Sequence, residues 1–291
     1  MTHLLARLGI VVPAWNGSDR LAACVARLAP AAAAGARVVV VDDASTDGAG
    51  ARVRAAFPFV RVVAHAARRG PAAAWNTGAA EVRGRDLLLL LDQDTEAPVE
   101  SVLELARFLS SRPDYAGAAA RLVSPGGRTE RSCLRLPRLA TPLLVGTPLE
   151  GLGVGAREAL RYLELGFDHA CDADVEQPPL SALMLQRAEW DALGGLDERF
   201  EVFFADVDLA RRIQARGGRM RFLASAPIVH HGGASVRGLA RSAEVLHEDR
   251  VRYFQKHHGA LAGPLVRGCA AWARHTGGLG ARLRVPEPLQ R

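Results

Sequence analysis

Residues 87–98 read LLLLLDQDTEAP, five leucines that run directly into two aspartates separated by one residue. An apolar run this short, preceded by the polar turn RGRD, predicts a strand buried on both faces of a sheet. Open α/β folds bind their ligands at the carboxyl ends of the strands, so Asp92 and Asp94 are candidates for a functional site. The alternative is structural: a strand followed by a helix that Asp94 or Thr95 caps, with Pro98 in its first turn.

The composition is that of an ordered globular protein. Of the 291 residues, 49% are hydrophobic and 23% are charged, enough for one large core or a core with an appended subdomain. The net charge of +6 favours anionic partners such as nucleotides or phospholipid headgroups. Nucleic-acid binding is not expected, because the basic residues are dispersed and few aromatic residues lie among them.

The sequence predicts a cytoplasmic location. The 4 cysteines have neither CxxC spacing nor the density of a disulfide scaffold, as expected in a reducing compartment. The N-terminal residues lack the pattern of a secretion signal, and no apolar run approaches the roughly 18 residues that span a bilayer. The C-terminal tail mixes apolar residues with arginines such as Arg282 and Arg284. Two alternatives stand for it: peripheral docking on an anionic membrane surface, or packing against the core.

Short β-rich runs alternate with helical segments along the first third of the chain. The runs are residues 8–12, 37–41, 60–63 and the leucine run, and helices are expected after residue 18 and from residue 71. This alternation implies right-handed crossovers between parallel strands. The sequence therefore predicts an α/β domain with a mostly parallel central sheet flanked by helices.

Polar residues follow all four of these runs, at residues 13–16, 42–47, 68–70 and 92–94. Because the carboxyl ends of parallel strands meet at one edge of a sheet, we expect a single pocket there. The first run is followed by PAWNGS instead of GxGxxG, and GxxxxGK[ST] does not occur, which argues against a dinucleotide fingerprint and a P-loop. Carboxylates stand where those folds have glycines. Their hard oxygen atoms suit Mg²⁺ or Mn²⁺, which can bridge the oxygens of a diphosphate.

Five motifs together resemble the nucleotide-diphospho-sugar transferases of glycosyltransferase family 2, which have the Rossmann-like GT-A fold. In chain order they are PxxN at 13–16, VVDDASTDG at 40–48, RGPAAAWNTG at 69–78, LLDQDTEAP at 90–98, and GGLDERFEVFFADVDLARRIQARGGRM at 194–220 with PIVHHGGAS at 227–235. The second half resembles the rhamnosyltransferase-like branch in particular. The resemblance covers roughly residues 8–235.

The resemblance implies a division of the chain into two parts. A GT-A domain would occupy residues 1–238, with a nucleotide-sugar-binding half at 1–120 and an acceptor-side half at 121–238. A C-terminal helical segment with an Arg-rich tail would occupy residues 239–291. Proline and glycine break residues 120–176 into short pieces, and we expect a mobile loop over the nucleotide-sugar site there.

The resemblance implies a metal-dependent reaction. Asp94 would ligate the metal directly, Asp92 would face the nucleotide ribose or the water shell of the metal, and His230 would supply a further ligand. His231 is the alternative ligand, but the HxGGxS spacing selects His230. A neutral imidazole ligand favours Mn²⁺ over Mg²⁺. The structural alternative for His230 is a strand-end histidine that bonds only to backbone.

The resemblance also implies a nucleotide pocket. Asp42 would accept a hydrogen bond from the N3–H of a pyrimidine, which uracil and thymine both offer, so a UDP- or dTDP-sugar is expected. Pro13 and Trp15, together with Asn16 of the same motif, would shape the pocket beside the base. Arg69 would face the diphosphate, with a solvated surface arginine as the alternative.

Several polar residues of these motifs also have structural explanations. Asp43, Ser45 and Asp47 lie in DDASTDG, which is typical of a turn followed by a helix cap. Asp208 lies two residues beyond Asp206, where the resemblance places the catalytic base. We expect Asp208 to point elsewhere on its helix and to be structural.

The acceptor hydroxyl needs a base, and the family places an aspartate for this at the start of the helix after DERF. That position is Asp206, where the helix dipole would keep a carboxylate ionised. The family usually has a Glu-Asp pair here, whereas this chain has Ala205 before Asp206, a departure that indicates a different acceptor or reduced activity. One base opposite the leaving group implies inversion at the anomeric carbon.

The sequence therefore predicts an inverting, metal-dependent glycosyltransferase of cell-envelope polysaccharide synthesis. The branch resemblance makes dTDP-rhamnose the first choice of sugar donor, with a saccharide or a lipid-linked saccharide as acceptor. The alternatives are a UDP-sugar-dependent transferase with another acceptor and a catalytically weak relative that binds nucleotide sugars. A sugar-nucleotide pyrophosphorylase is disfavoured, because PAWNGS lacks the glycine-rich basic loop of that class.

Overall fold

The structure is a computed structural model that describes residues 2–232 and 241–276. The end of the HHGGAS motif, from Gly233 to Ser235, lies outside the described residues, as do the tail arginines Arg282 and Arg284. Within them, strands and helices alternate around one mixed sheet with an apolar cluster on each of its faces. The predicted α/β class is confirmed.

Nine strands form the sheet. They are β1 (Leu8–Ala14), β2 (Arg37–Asp42), β3 (Val60–Ala64), β4 (Leu87–Leu91), β5 (Thr95–Glu96), β6 (Tyr115–Val123), β7 (Ala173–Val175), β8 (Ala182–Gln186) and β9 (Arg219–His230). Their order is β3-β2-β1-β4-β8-β6-β9-β5, and β7 also pairs with β9. The four predicted strands are mutually parallel, whereas β8 pairs antiparallel with both β4 and β6. The sheet is therefore mixed: β1 to β4 are parallel, β6 and β9 form a second parallel pair, and β8 lies antiparallel between the two groups.

Twelve α-helices are present in the described residues. They are α1 (Thr2–Leu5), α2 (Ser18–Arg27), α3 (Ala29–Ala33), α4 (Ala49–Ala56), α5 (Pro71–Glu81), α6 (Val99–Ser111), α7 (Thr141–Leu144), α8 (Gly153–Tyr162), α9 (Arg187–Leu193), α10 (Ala205–Ala215), α11 (Ser242–His258) and α12 (Ala262–His275). A 3-10 helix spans Pro148–Gly151. None of the helices in 2–232 and 241–276 has the length and apolarity needed to cross a bilayer.

The leucine run is the central strand β4, as predicted. Leu87, Leu89 and Leu91 face one apolar cluster, and Leu88 and Leu90 face the other. All five side chains are fully buried or nearly so, and each contributes about 1.5–3 kcal/mol relative to an exposed position. The strand therefore needs apolar residues on both faces, which explains why it lacks the alternation of a half-exposed strand.

The chain after the two aspartates does not form the capped helix of the structural alternative. Thr95 lies in β5, where it pairs with His230 of β9. Helix α6 begins later, at Val99, and its N-cap residue is Pro98. Neither Asp94 nor Thr95 caps it, because the short β5–β9 pairing comes between β4 and the helix.

Residues 141–162 form helices where a mobile loop was expected. Helices α7 and α8 and the 3-10 helix between them pack on one another. The glycines of GLGVG permit this packing: a Cβ on Gly155 would lie 1.9 Å from the carbonyl oxygen of Leu149. Proline and glycine here mark tight contacts between short helices, and the prediction of a loop was wrong for this segment.

The C-terminal helices pack against the body of the protein. Tyr253 and Phe254 of α11 and Val266 of α12 belong to the same apolar cluster as Leu88 and Leu90 of β4. The sequence left two alternatives for the C-terminal segment, membrane docking and packing against the core. Its described part packs against the core. The division of the chain at residue 238 stays a prediction.

A buried carboxylate on α11 holds the loop that leads into α10. Asp249 is fully buried and accepts hydrogen bonds from the backbone N–H groups of Glu201, Val202 and Phe203, at 3.0, 3.0 and 2.9 Å. Arg252 pairs with the same carboxylate. These bonds satisfy three consecutive N–H groups in a segment without regular structure, and they fix the start of α10.

We expect Asp249→Ala to lower the free energy of unfolding by roughly 3 kcal/mol, because three backbone N–H groups lose their acceptor. Urea denaturation measures the change. Glu248→Ala is the matched control, since Glu248 is the exposed neighbour on the same helix, and its effect should stay within about 0.5 kcal/mol. Equal midpoints for the two variants would contradict this role of Asp249.

Candidate active site

A cavity of about 90 Å³, called here the edge cavity, lies at the carboxyl edge of the parallel strands. All four predicted strand ends and the loop before α10 contribute to it. Its lining residues are Pro13, Ala14, Trp15, Asp43, Arg68, Pro71, Ala74, Asp92, Gln93 and Val202. The predicted convergence of the strand ends is confirmed.

Two carboxylates and one imidazole meet beside this cavity. Asp92, Asp94 and His230 each offer one ligand atom, and these atoms all lie within 4.8 Å of one another. His230 Nε2 lies 3.6 Å from Asp94 Oδ1. His231 lies on the other side of the strand end and contacts Glu96 at 2.9 Å, so it takes no part in this group. Two carboxylate oxygens and an imidazole nitrogen at this spacing are a suitable ligand set for a divalent cation.

Glu130, which sequence reasoning missed, orients the imidazole of His230. His230 Nδ1 lies 2.9 Å from Glu130 Oε2 in a largely buried contact. Burial lowers the pKa of His230, but the Glu130 hydrogen bond and the charges of Asp94 and Asp92 outweigh it, and the pKa is raised. The Glu130 contact rules out the alternative of a histidine bonded only to backbone. The turn SPGG before Glu130 predicts only a change of direction, so no local signal pointed to this residue.

Asp92 is held by a second residue that the motifs do not contain. Ser181 Oγ donates to Asp92 Oδ2 at 2.6 Å, and Asp92 N donates to the Ser181 carbonyl at 3.1 Å. The antiparallel register of β4 and β8, which pairs Leu91 with Ala182, places Ser181 there. Burial first and then the neighbouring charge of Asp94 raise the pKa of Asp92 to about 6.

Trp15 lies at the edge cavity as predicted, and Arg68 covers it. The guanidinium carbon of Arg68 lies 3.7 Å from the centre of the Trp15 ring system. The Gln93 side chain holds the Trp15 backbone, accepting from its N–H at 3.1 Å and donating to its carbonyl at 3.3 Å. Pro13 lines the same cavity. Sequence reasoning missed Arg68 because nothing in RRG distinguishes one arginine from its neighbour.

The side chain of Arg69, the arginine that the sequence favoured, points elsewhere. It pairs with Glu198 at 2.9 Å and is half exposed. Its backbone N–H, like that of Gly70, donates to the buried carboxylate of Asp43 at 2.8 Å. His65 Nδ1 contacts the same carboxylate at 2.7 Å. Asp43 therefore supports the loop that carries Arg68, in addition to lining the cavity.

Asp42 and Asn16 organise the turn beside the cavity. Asp42 Oδ1 accepts from the Ser45 N–H at 2.9 Å, and a Cβ on Gly50 would lie 2.3 Å from its Oδ2. Asn16 donates its backbone N–H to Ser45 Oγ and accepts from the Thr46 N–H through its side chain, both at 2.9 Å. Neither is among the residues described as lining the edge cavity, since side chains at 42 and 43 point to opposite sides of the strand. Their contact with a nucleotide stays a prediction.

The structural explanation for Ser45 and Asp47 agrees with the geometry. Ser45 Oγ serves the Asn16 backbone, as above. Asp47 Oδ1 accepts from the Ala49 N–H, and its Oδ2 accepts from the Ser18 N–H, both at 3.0 Å. Asp47 thus satisfies backbone groups at the starts of α4 and α2.

A second, larger cavity of about 310 Å³, called here the helical cavity, contains Asp206. Helices α7, α8, α10, α11 and α12 wall it. Its lining residues are Leu134, Pro142, Val145, Gly146, Thr147, Tyr162, Leu163, Gln177, Phe203, Phe204, Asp206, Val207, Leu246, Arg250, Cys269, Ala270, Ala273 and Arg274. Most of them are apolar, and Asp206 is the carboxylate among them.

Asp206 is the second residue of α10, at the helix start as predicted. Its carboxylate accepts from Gln177 Nε2 at 2.9 Å and from the Val207 N–H at 2.8 Å. Burial nevertheless raises its pKa, against the lowering effect of those hydrogen bonds. Burial and the hydrogen bonds at the helix start therefore act on the pKa of Asp206 in opposite directions, and burial has the larger effect; that the carboxylate stays ionised remains a prediction. Ala205 before it is buried in the apolar core.

Asp208 is structural, as predicted. It is fully buried and pairs with Arg212 at 2.7 Å, Lys256 at 2.6 Å and His257 at 2.7 Å. Two of these partners lie on α11, so the carboxylate ties α10 to α11. Removing one partner of such a group leaves a buried charge uncompensated.

Comparison with known proteins gives relatives of differing length. The chain is 28% identical over 163 residues to the O-antigen biosynthesis protein RfbC of Myxococcus xanthus, which covers 56% of this chain but 12% of that protein. It is 25% identical over 295 residues to the N-acetylglucosaminyl-diphospho-decaprenol L-rhamnosyltransferase of Mycobacterium tuberculosis, covering 92% of each. The chain thus spans a small part of the first relative and nearly all of the second.

Among solved structures, the fold is similar to the mannosyltransferase PcManGT of Pyrobaculum calidifontis in complex with GDP-Man and Mn²⁺. The TM-score is 0.58 at 20% identity, over 95% of this chain and 78% of that one. This similarity confirms the GT-A organisation of the fold. The model of glycosyl transferase family 2 matches residues 9–156, half of the chain. On this match, the chain belongs to glycosyl transferase family 2.

Proposed function

We propose that this protein is an inverting, metal-dependent glycosyltransferase that moves a sugar from a pyrimidine nucleoside diphosphate to a saccharide or lipid-linked acceptor in cell-envelope polysaccharide synthesis. The grouping of Asp92, Asp94 and His230 within 4.8 Å carries the proposal. Similarity to an L-rhamnosyltransferase over 92% of both chains supports dTDP-rhamnose as the first sugar donor to test. PcManGT, which has a similar fold, was solved with Mn²⁺.

Asp92, Asp94 and His230 would hold the divalent cation. The contact of His230 Nδ1 with Glu130 directs Nε2 towards Asp94, which leaves an imidazole nitrogen and carboxylate oxygens facing one point. When bound, a divalent cation there would supply positive charge to the leaving diphosphate. Asp94 is almost completely buried, so its charge has little solvent to compensate it without a cation.

The edge cavity would hold the nucleotide. The Arg68 guanidinium lies over one face of the Trp15 ring and carries a positive charge suited to a phosphate, and a base would stack on the opposite face of the ring. The Trp15 backbone is fixed by Gln93, the residue between the two aspartates, so the base surface and the metal ligands belong to one rigid unit. Asp42 remains our candidate for the pyrimidine N3–H.

Asp206 would take the proton from the acceptor hydroxyl. A base works best when its pKa lies near the working pH, and burial raises the pKa of Asp206 in that direction. The charge of Asp206 also contributes to the raised pKa of Asp92, so the carboxylates of the two cavities interact electrostatically. Gln177 Nε2 donates a hydrogen bond to Asp206 Oδ2, which fixes the orientation of the carboxylate.

The nucleotide specificity can be tested by calorimetric titration of UDP, dTDP and GDP in the presence of Mn²⁺. We expect both pyrimidine nucleotides to bind at least tenfold more tightly than GDP, since only they offer the N3–H donor in the pyrimidine position. Mass spectrometry of the product formed from each pyrimidine nucleotide sugar then identifies the transferred group. A purine nucleotide that bound as tightly as UDP and dTDP would overturn the pyrimidine assignment.

Glu130→Gln should weaken Mn²⁺ binding about tenfold, because it removes the charge that raises the basicity of His230 while keeping the shape of the side chain. Titration of the metal alone, without nucleotide, measures this. Glu104→Gln is the control, since that partly exposed residue of α6 has one ion pair within residues 2–232 and 241–276, with Arg107 of the same helix. Wild-type metal affinity in Glu130→Gln would show that Glu130 does not tune the ligand.

Asp206→Asn should lower turnover by roughly 10²–10⁴-fold, the usual contribution of a general base, while nucleotide affinity is retained. The separation of kcat from nucleotide Kd distinguishes loss of a base from misfolding. Asp191→Asn, an exposed carboxylate on α9, should leave both quantities unchanged. Undiminished transfer by Asp206→Asn would mean that another group accepts the proton.

A further inference from the structure

The imidazole of His65 is buried close to the edge cavity, and the proposed chemistry does not use it. The side chain is 7% exposed, and both ring nitrogens have partners inside the protein. Nδ1 lies 2.7 Å from Asp43 Oδ1, and Nε2 lies 3.0 Å from Thr77 Oγ1 of α5. An ionised carboxylate only accepts hydrogen bonds, so Nδ1 carries the proton of the first contact. The imidazole therefore donates to Asp43 and is anchored on α5 through its other nitrogen.

The Asp43 carboxylate joins this imidazole to the loop before α5. Its Oδ1 also accepts from the Arg69 N–H and its Oδ2 from the Gly70 N–H, both at 2.8 Å. The backbone N–H of Asp43 donates to the carbonyl of Ala14, the last residue of β1, at 2.8 Å. One buried residue thus ties the end of β1 to the loop. The hydrogen bond from the imidazole fixes the plane of the carboxylate, and both loop N–H groups need that plane to keep their acceptors.

The same loop is confined on its other side by the segment that leads into α10. Gly70 has a φ of 90°, and a Cβ there would lie 2.7 Å from the carbonyl oxygen of Glu201. Helix α5 begins at the next residue, Pro71. The backbone of the loop is therefore held between the Asp43 carboxylate and a segment that Asp249 fixes in turn.

Arg68 lies at the exposed start of this loop and depends on the loop for its position. Its guanidinium carbon lies 3.7 Å from the centre of the Trp15 ring system. Unlike its neighbour Arg69, it forms no ion pair with a carboxylate of residues 2–232 and 241–276. A long side chain loses conformational freedom when it binds a phosphate, and a fixed backbone reduces that cost.

We propose that His65 is a positioning residue for the nucleotide: by holding the Asp43 carboxylate it fixes the loop of residues 68–70, and with it the Arg68 guanidinium beside Trp15. This inference rests on the proposed function, in which Arg68 meets a phosphate of the nucleotide. His65 would not touch the nucleotide itself. It would set the nucleotide affinity by keeping Arg68 in its binding position before the ligand arrives.

Calorimetric titration of UDP and dTDP in the presence of Mn²⁺ tests this role in two variants of His65. His65→Leu removes both hydrogen bonds of the ring and should weaken nucleotide binding about tenfold. His65→Asn should keep the affinity within about threefold of the wild type, because its amide nitrogen can donate to Asp43 as Nδ1 does. His275→Leu, at the exposed end of α12, is the matched control and should bind as the wild type does. Wild-type affinity in His65→Leu, or an affinity in His65→Asn as low as in His65→Leu, would overturn the proposal.

A double-mutant cycle shows whether His65 acts through Arg68. Arg68→Met alone should weaken nucleotide binding about tenfold, because the cation that meets the phosphate is lost. Once that guanidinium is absent its position no longer matters, so adding His65→Leu should weaken binding by at most about twofold more. Two independent effects that multiply to about a hundredfold would overturn the proposal, since His65 would then act by another route.

Titration of Mn²⁺ alone separates this role from a general loss of structure. Neither hydrogen-bond partner of the His65 ring belongs to the group of candidate metal ligands, so the metal should bind equally well in every variant. Joint loss of Mn²⁺ and nucleotide binding in His65→Leu would reduce His65 to a structural residue and overturn the proposal.

The outcomes for the wild type and for His65→Leu separate the inference from the proposed function. A wild-type protein that bound neither UDP nor dTDP with Mn²⁺ would overturn the proposed function, and the inference with it. Nucleotide binding that is the same in the wild type and in His65→Leu would overturn only the inference about His65.

Discussion

The pairing of the two-residue strand β5 with the end of β9 is the contact on which the site depends. It places His230 directly opposite Thr95, one residue beyond Asp94. The backbone continues the pairing, since His231 N–H donates to the Asp94 carbonyl at 2.9 Å. Backbone hydrogen bonds thus bring an imidazole to two carboxylates that lie more than 130 positions earlier in the chain. Without this register, Asp92 and Asp94 would follow the end of β4 with no imidazole beside them.

The fully and partly buried carboxylates of this region divide into two groups by how completely their charges are satisfied. Asp249 and Asp208 are fully buried, yet backbone N–H groups or cations satisfy them, so they fix loops and helices. Asp92 and Asp206 are held by one or two polar partners each, and burial raises the pKa of both. The satisfied carboxylates stabilise the fold, and we propose that a ligand completes the surroundings of the incompletely satisfied ones.

The sequence predicted the candidate metal ligands of the site, and only the tertiary structure identified the residues that orient them. The residues predicted for the metal, Asp92, Asp94 and His230, lie in two local motifs, and the structure brings them together. Glu130 and Ser181, which orient two of them, lie in no motif. Glu130 follows Thr129, which forms an antiparallel bridge with Val123 of β6, and Ser181 precedes β8, which pairs with β4. A local sequence pattern cannot express either pairing. Residues that act through a neighbour's side chain carry no signal in their own surroundings.

The sequence by itself determined the α/β class, the parallel strands β1 to β4, and the edge where their polar ends converge, because apolar runs and turn residues are local properties. Only the tertiary structure decided that Arg68 and not Arg69 lies on Trp15, since adjacent residues differ only in the direction that a loop gives them. It also decided the direction of the Asp206 pKa. Desolvation depends on every helix packed around the group, and no single segment of the chain contains that information.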